Sequence, residues 1–289
     1  MTNPEKVLIF VGAHPDDETF GPGGTLAQYA GQGVKAYYAC ATRGEVGSAD
    51  PEHLKGYASP ADMRWAELTC AAEQLRLTDL IYLGYRDSGM PGSPDNSHPN
   101  ALAAAPLEEV TAKVVKVFRD LKPQVVITFD PIGGYRHPDH IAIHNATVRA
   151  FHAAGDPQQF PELGPAHQPQ KLYYSVFPRS IFKYALKVLP LFGQDPRHAG
   201  RNKDIDFVSL AEEVEYPIHA RIRIQGEAAA CKQRAWACHK SQAESGPPSR
   251  GLTGIVFKIA QRYDTFMRAQ PPVPANERIS ERDLFEGVN

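Results

Sequence analysis

Residues 7–18 read Val-Leu-Ile-Phe-Val-Gly-Ala-His-Pro-Asp-Asp-Glu. The unbroken apolar run Val7 to Val11 is what a strand buried on both faces requires, as in a parallel sheet. The small pair Gly12-Ala13 follows, then one imidazole and two adjacent carboxylates, His14, Asp16 and Asp17. A polar turn with a helix N-cap is the plain reading of an isolated Asp-Asp. In an open α/β sheet, however, ligands collect beyond the carboxyl ends of the strands. The chain repeats the arrangement: Gln124 to Phe129 is a second strand of the buried type, and His137-Pro138-Asp139-His140 lies beyond it. Two such clusters in matching positions favour a site over a turn.

Working outward, Val34 to Thr42 and Asp79 to Gly84 read as further strands. Ser59-Pro60-Ala61-Asp62 is a helix start, with Ser59 as cap, Pro60 in the first turn and Asp62 at the capping-box position. Trp65, Leu68, Ala72 and Leu75 then share one helical face, as do Leu107, Val110, Val114, Val117 and Leu121 further on. Pro138 opens another helix, to about Ala154. This alternation predicts an α/β, Rossmann-like fold, a mostly parallel sheet with helices on both faces. The glycines of Gly21-Pro22-Gly23-Gly24 do not form a dinucleotide fingerprint, because position 26 is Leu, and read as a tight turn. Beyond residue 154, 155–170 is loop-like, Leu172 to Phe177 and Ile218 to Ile224 read as strands, and Glu227 to Gln242 as a helix. The apolar stretch Ile181 to Phe192, broken by Pro190, suits a core segment, a lid or a subunit contact. The whole, 1–289, reads as a single domain: a core over 1–154 with both clusters, a part over 155–270 completing the pocket, and a polar, Pro-rich tail over 271–289.

The net charge of −2 with 22% charged residues creates no pull toward nucleic acid. No stretch approaches the ~20 apolar residues that span a bilayer. The first apolar run is short and leads straight into polar residues, so no signal peptide is expected. Cys40, Cys70, Cys231 and Cys238 form no Cys-x-x-Cys pair and read as reduced, packed thiols, in keeping with a cytoplasmic setting. A homo-oligomer is compatible with all of this.

The two clusters together hold the makings of a metal site. His14 and Asp17, three apart across a turn, and His140 from the other strand end supply two imidazoles and a carboxylate. That is the three-ligand, open-position set of catalytic zinc; Fe(II) suits the same donors. A structural zinc would need four ligands, typically thiolates, and none are near. Asp16, beside a ligand but aimed elsewhere, is the candidate base for a metal-bound water. His137 is the candidate donor to an oxyanion, with Asp139 or another acid holding its tautomer. His144, one turn beyond His140, is assigned a surface or supporting role, and Asp130 a supporting one. Glu18 either braces the metal loop or caps the next helix.

Ala13-His14-Pro15-Asp16-Asp17-Glu18 together with Gly134-Tyr135-Arg136-His137-Pro138-Asp139-His140 resembles the PIG-L/LmbE-like zinc deacetylases. That family includes the GlcNAc-phosphatidylinositol deacetylase and the deacetylases of mycothiol and bacillithiol synthesis. The likeness runs from residue 6 to about 153, and more weakly over 218–242 through Lys232…His239-x-Ser241-Gln242. Thr42-x-Gly44-Glu45 and Arg64-x-x-Glu67 also fit, and Arg86-Asp87-Ser88-Gly89-Met90 looks closest to the mycothiol branch, which holds a deacetylase and an S-conjugate amidase. The resemblance implies hydrolysis of an N-acetyl group on a glucosamine unit of a small-molecule amino sugar. It implies zinc on His14, Asp17 and His140, Asp16 as general base and His137 as electrostatic partner or acid. It also implies Tyr135 beside the substrate carbonyl, Arg64 and Asp87 on sugar hydroxyls, and Glu45 among the substrate-binding residues. Residues 155–215 match no family motif, which leaves the aglycone open. Three rivals stand beside this reading: an amidase of thiol S-conjugates, a non-haem Fe(II) oxygenase, and a carbohydrate-binding protein. The extra carboxylate Asp16 speaks against the second, and the intact ligand set with Asp16 against the third.

Overall fold

A computed structural model describes residues 5–178, 183, 186–193, 195–198, 206–212, 215–242 and 262–289. Strand β1 (Val7–Gly12) is buried over its whole length. Its side chains alternate between two cores. Leu8 and Phe10 pack with Leu26, Leu68 and Leu75 on one face. Ile9 and Val11 pack with Val110, Val114 and Ile143 on the other. Burying each such side chain is worth about 1.5–3 kcal/mol, so an apolar run of this kind is stable only between two helical layers.

Those layers follow in chain order. The first face is covered by α2 (Gly23–Gly31) and α3 (Pro60–Leu75), the second by α4 (Leu107–Leu121) and α6 (Pro138–Ala153). Two single turns, α1 (Asp17–Phe20) and α5 (Gly133–Arg136), sit directly after strand ends. The other strands are β2 (Lys35–Cys40), β3 (Asp79–Tyr82), β4 (Val125–Phe129), β5 (Lys171–Ser175), β6 (Ala220–Arg223) and β7 (Tyr263–Gln270). Between β5 and β7 lie α7 (Phe207–Glu212) and α8 (Gly226–Cys238). Ser59 caps α3 as its sequence suggests, accepting from the Asp62 amide at 3.1 Å.

The sheet order is β3-β2-β1-β4-β5-β7-β6. The first five strands are mutually parallel. Strand order reverses between β1 and β4, whose register pairs Phe10 with Ile127. This is the switch point at which an open α/β sheet leaves a crevice, and the clusters after β1 and β4 both open onto it.

Four expectations are corrected. The sheet gains a strand, β7, that the sequence pattern does not predict, and with it the antiparallel pairing β5-β7-β6. The helix over 227–242 ends at Cys238, where His239 leaves helical geometry and turns its ring inward. Residues 271–289 are no tail. Leu284 and Phe285 are buried, the Leu284 amide donates to Tyr29 Oη at 2.6 Å, and Glu281 pairs with Lys171 at 2.8 Å. Finally, Cys70 and Cys238 form a disulfide between α3 and α8, while Cys40 and Cys231 are free and buried. The argument from thiols to a reducing compartment therefore fails for that pair. Of Ile181 to Phe192, residues 181, 182, 184 and 185 lie outside the described residues; Leu191 is 80% exposed and so is not core. Among the described residues no helix is long and apolar enough to cross a membrane.

Candidate active site

The loop after β1 is anchored by its own backbone. Asp17 Oδ2 accepts from the amides of Ala13 and His14 at 3.0 and 2.7 Å, and Tyr38 Oη donates to the His14 carbonyl at 2.7 Å. Tyr38 reaches that carbonyl across Gly12, where a Cβ would stand 2.8 Å from its hydroxyl, so the glycine leaves room for the ring.

Both imidazoles of the metal set have their outward nitrogens occupied. His14 Nε2 lies 3.1 Å from Asp139 Oδ2, and His140 Nδ1 lies 3.1 Å from the Gly133 carbonyl. Each outward nitrogen therefore carries the proton, and each inward nitrogen presents a lone pair. The inward pair, His14 Nδ1 and His140 Nε2, is 3.1 Å apart. Two lone pairs at that distance repel unless a cation or proton lies between them. Asp17 closes the triangle: Oδ1 is 3.4 Å from His140 Nε2 and Oδ2 is 3.8 Å from His14 Nδ1. Ligands held about 2.1 Å from a tetrahedral zinc stand about 3.4 Å apart, a spacing close to that of the two inward nitrogens and of His140 Nε2 from Asp17 Oδ1. His137 is the geometric rival, since the ring nitrogens of His14, His137 and His140 lie within 4.8 Å of one another. Asp17 differs from it in being pre-oriented by two backbone amides.

Electrostatics favour positive charge at this place. Burial alone pushes the His14 imidazole down, but Asp87, Asp139 and Asp17 outweigh it and hold the group well above its ordinary value. Asp17 resists burial in the same way and is held far below the usual carboxylate range by His140 and His14. Asp130 supports the cluster from below: its Oδ1 accepts from the Ile132 and Gly134 amides, fixing the turn whose Gly133 carbonyl orients His140. The Phe129 ring stacks on His140 at 3.9 Å. His144 stands apart, with Nδ1 on the Phe129 carbonyl at 2.8 Å.

Asp16 faces away from the triangle. Its φ of 127° is a conformation that non-glycine residues rarely adopt, at a cost of order 1–3 kcal/mol. Arg64, buried, holds it there: Nη2 donates to Asp16 Oδ2 at 3.0 Å and to the Pro15 carbonyl at 2.7 Å. Burial pushes the Asp16 carboxyl up to about 6, against the pull of Arg64. His137 Nδ1 accepts from the Asp139 amide at 3.2 Å, which leaves Nε2–H as a donor. Burial, with His14 and His140 beside it, pushes His137 down to about 2, so the ring is neutral.

His14, Asp16, Arg64, Asp87, Tyr135 and His137 all line one cavity of about 440 Å³. Two roles differ from the sequence reading. The Asp139 carboxylate does not hold His137; it accepts from His14 and from the amide and hydroxyl of Ser88. Glu45 does not line the cavity; its carboxylate accepts from the Asp87 amide at 2.9 Å and so fixes the Asp87 loop. Arg64 lines the cavity, but it donates to Asp16 and to the Gly44 and Pro15 carbonyls rather than outward. Glu18 braces rather than caps, for it is buried and accepts from the Asp16 amide at 2.9 Å and from His239 at 2.7 Å. Ser88 and His239 carry supporting roles that the sequence alone does not mark. The only signal for them was membership of Arg86-Asp87-Ser88-Gly89-Met90 and of Lys232…His239-x-Ser241-Gln242.

Comparison with known proteins gives a consistent picture. The PIG-L family model, described as GlcNAc-PI de-N-acetylase, matches residues 9–151. A 1D-myo-inositol 2-acetamido-2-deoxy-alpha-D-glucopyranoside deacetylase of Geodermatophilus obscurus is 37% identical over 99% of this chain and 99% of its own length. Its namesake from Streptomyces avermitilis is 35% identical, over 99% and 98%. Among solved structures, a conserved protein from Thermus thermophilus superposes with a TM-score of 0.56 at 21% identity, covering 93% of this chain and 97% of that one.

Proposed function

The chain belongs to the PIG-L family of de-N-acetylases and hydrolyses the N-acetyl group of a GlcNAc-containing small molecule; we propose that this molecule is a GlcNAc–inositol conjugate and that the reaction depends on zinc. The aglycone follows the names of the full-length relatives. A cavity of about 440 Å³ is of a size that takes a two-ring ligand. The observation that carries the zinc reading is the pair of inward-facing nitrogens, His14 Nδ1 and His140 Nε2, 3.1 Å apart beside Asp17.

We assign His14, Asp17 and His140 as ligands. Bound there, zinc supplies Lewis acidity, lowering the pKa of a coordinated water and polarising a carbonyl oxygen. Asp16 takes the proton of the attacking water, being, among the described residues, the one carboxylate at the cavity wall that is neither a ligand nor committed to a histidine. It then delivers that proton to the departing amine of the sugar. His137 donates Nε2–H to the oxygen as charge develops there, a donor worth roughly 10²–10³ in rate. As a neutral ring it donates without giving up its proton. Tyr135 flanks the same carbonyl. Asp87 accepts from sugar hydroxyls, and its loop is held by Glu45. Arg64 keeps Asp16 aimed and closes the sugar end of the cavity.

The test is acetate release from GlcNAc–inositol, free GlcNAc and a GlcNAc thiol S-conjugate, with metal analysis of the purified protein. Preferred turnover of GlcNAc–inositol by protein holding about one zinc per chain is expected. Cleavage of the S-conjugate alone would move the assignment to the amidase branch, and full activity of metal-stripped protein would end the zinc reading.

A further inference from the structure

Of the buried ionic pairs that take no part in the reaction described above, one is bonded directly to the site. Glu18 and His239 are both fully buried, 221 residues apart in sequence, with His239 Nε2 on Glu18 Oε1 at 2.7 Å. Thr19 Oγ1 donates to the same oxygen at 2.6 Å. The other oxygen, Oε2, accepts the backbone amide of Asp16 at 2.9 Å. That amide belongs to the residue at φ 127°. We propose that His239 is a positioning residue: through Glu18 it locks the Asp16 backbone in its unfavourable conformation and so aims the base. The inference rests on the reading of Asp16 as the base.

Three features of the fold support it. First, the pair has little to offer as a stabiliser, since a buried ion pair is often no better than apolar residues of the same volume. Its retention here coincides with a direct bond to the strained amide. Second, His239 Nδ1 is buried with no partner among the described residues. The ring is thus turned for its Glu18 edge alone, at the expense of its other nitrogen. Third, Asp16 is gripped from two sides by helices that are covalently joined. Its carboxylate is held by Arg64 of α3, and its amide through Glu18 by His239, the residue after α8. The Cys70–Cys238 bridge ties α3 to α8 next to His239. Glu18 belongs to the loop itself, but what fixes its carboxylate, His239, and what holds the Asp16 carboxylate, Arg64, both come from outside it.

The arrangement predicts non-additivity. His239→Leu removes the donor to Glu18 and frees the Asp16 backbone to relax. A base displaced by about 1 Å loses on the order of 10² in kcat, with KM and bound zinc unchanged. In an Asp16→Asn background the same change costs less than about twofold, because nothing remains to aim. His239→Gln, which still donates to Glu18, recovers most of the loss. Glu18→Ala gives an independent reading should the leucine variant fold poorly. It removes both acceptor oxygens, so the Asp16 amide loses its bond whatever tautomer His239 adopts, and kcat falls while zinc stays bound. Kinetics on GlcNAc–inositol, zinc content and melting temperature are measured for all variants. Equal kcat losses from His239→Leu in both backgrounds would reduce the pair to ordinary packing and overturn the proposal. So would wild-type kcat in both His239→Leu and Glu18→Ala while Asp16→Asn is impaired, which refutes the clamp and spares the base. Wild-type turnover by Asp16→Asn itself refutes the base, and the clamp with it.

Discussion

Gly44→Ala separates the role of Arg64 from ordinary packing. Gly44 has φ +68°, and a Cβ there would lie 2.1 Å from Arg64 Nη1 and 2.5 Å from its Cζ. Gly47 crowds the same guanidinium, its Cβ falling 2.6 Å from Nη1. The obstructing atoms are the end of a side chain, so the fold accommodates alanine by moving the guanidinium. Two costs follow. Alanine at positive φ loses about 1 kcal/mol of stability. The displaced guanidinium gives up its bonds to Asp16 and to the Pro15 carbonyl. A hydrogen bond to a charged group is worth about 1.5–3 kcal/mol, so kcat/KM should fall by roughly 10- to 150-fold. Gly33→Ala is the matched control, because Gly33 has φ +85° and nothing within 4 Å of its Cβ position. It carries the backbone cost and leaves Arg64 in place. The assay is acetate release alongside thermal melting and zinc content for both variants. Equal kcat/KM in the two would show that Arg64 does not act on the base. Loss of zinc in Gly44→Ala would show that Arg64 maintains the ligands rather than Asp16.

Asp139→Asn leaves the three ligands intact but removes the charge that holds His14 Nε2–H; zinc affinity, measured against a competing chelator, should weaken by about 10–100-fold. Unchanged affinity would mean that the Asp139–His14 bond does not tune the metal. Cys70→Ser opens the α3–α8 bridge and should cost about 2–4 kcal/mol in urea unfolding; a reductant should lower the wild type to the same level and leave the variant unmoved. Glu281 accepts from Lys171, Tyr173 and Arg268, and although burial raises its carboxyl, these partners hold it below its ordinary value. Its contribution is therefore complete above an unfolded pKa of about 4.3 and lost as pH falls through the lower folded value. Glu281→Gln should flatten the acid side of the melting-temperature profile in that window, and an unaltered slope there would count against the pairing.

What could be read from the sequence follows from how narrowly physics restricts each position. β1 and β4 were legible because strands covered on both faces admit almost nothing but apolar residues. β7 was not. It holds Asp264, which is satisfied by Lys232 at 3.0 Å and by the Thr25 amide and hydroxyl, all far away in sequence. A strand whose polar groups are matched at long range leaves no alternation to find. The disulfide was hidden in the same way, since 168 residues separate its cysteines and no local spacing marks them. The order β3-β2-β1-β4-β5 depends on which strands pair, a choice that local pattern does not encode.

The candidate site divides along the same line. His14, Asp17 and His140 stand out because few residue types coordinate a metal, and two of the three lie within one turn. Their supports are constrained only in position. Any acceptor reaching His14 Nε2 would have served where Asp139 does, and any donor reaching Glu18 where His239 does. Chemistry restricts residue type and so leaves a motif, whereas positioning restricts distance and leaves none until the chain is folded. Substitution of a ligand should therefore abolish the reaction, while substitution of a support should grade it according to how far the supported atom moves. That graded response is what the Gly44, Asp139 and His239 variants measure, each at a different step from the reacting water.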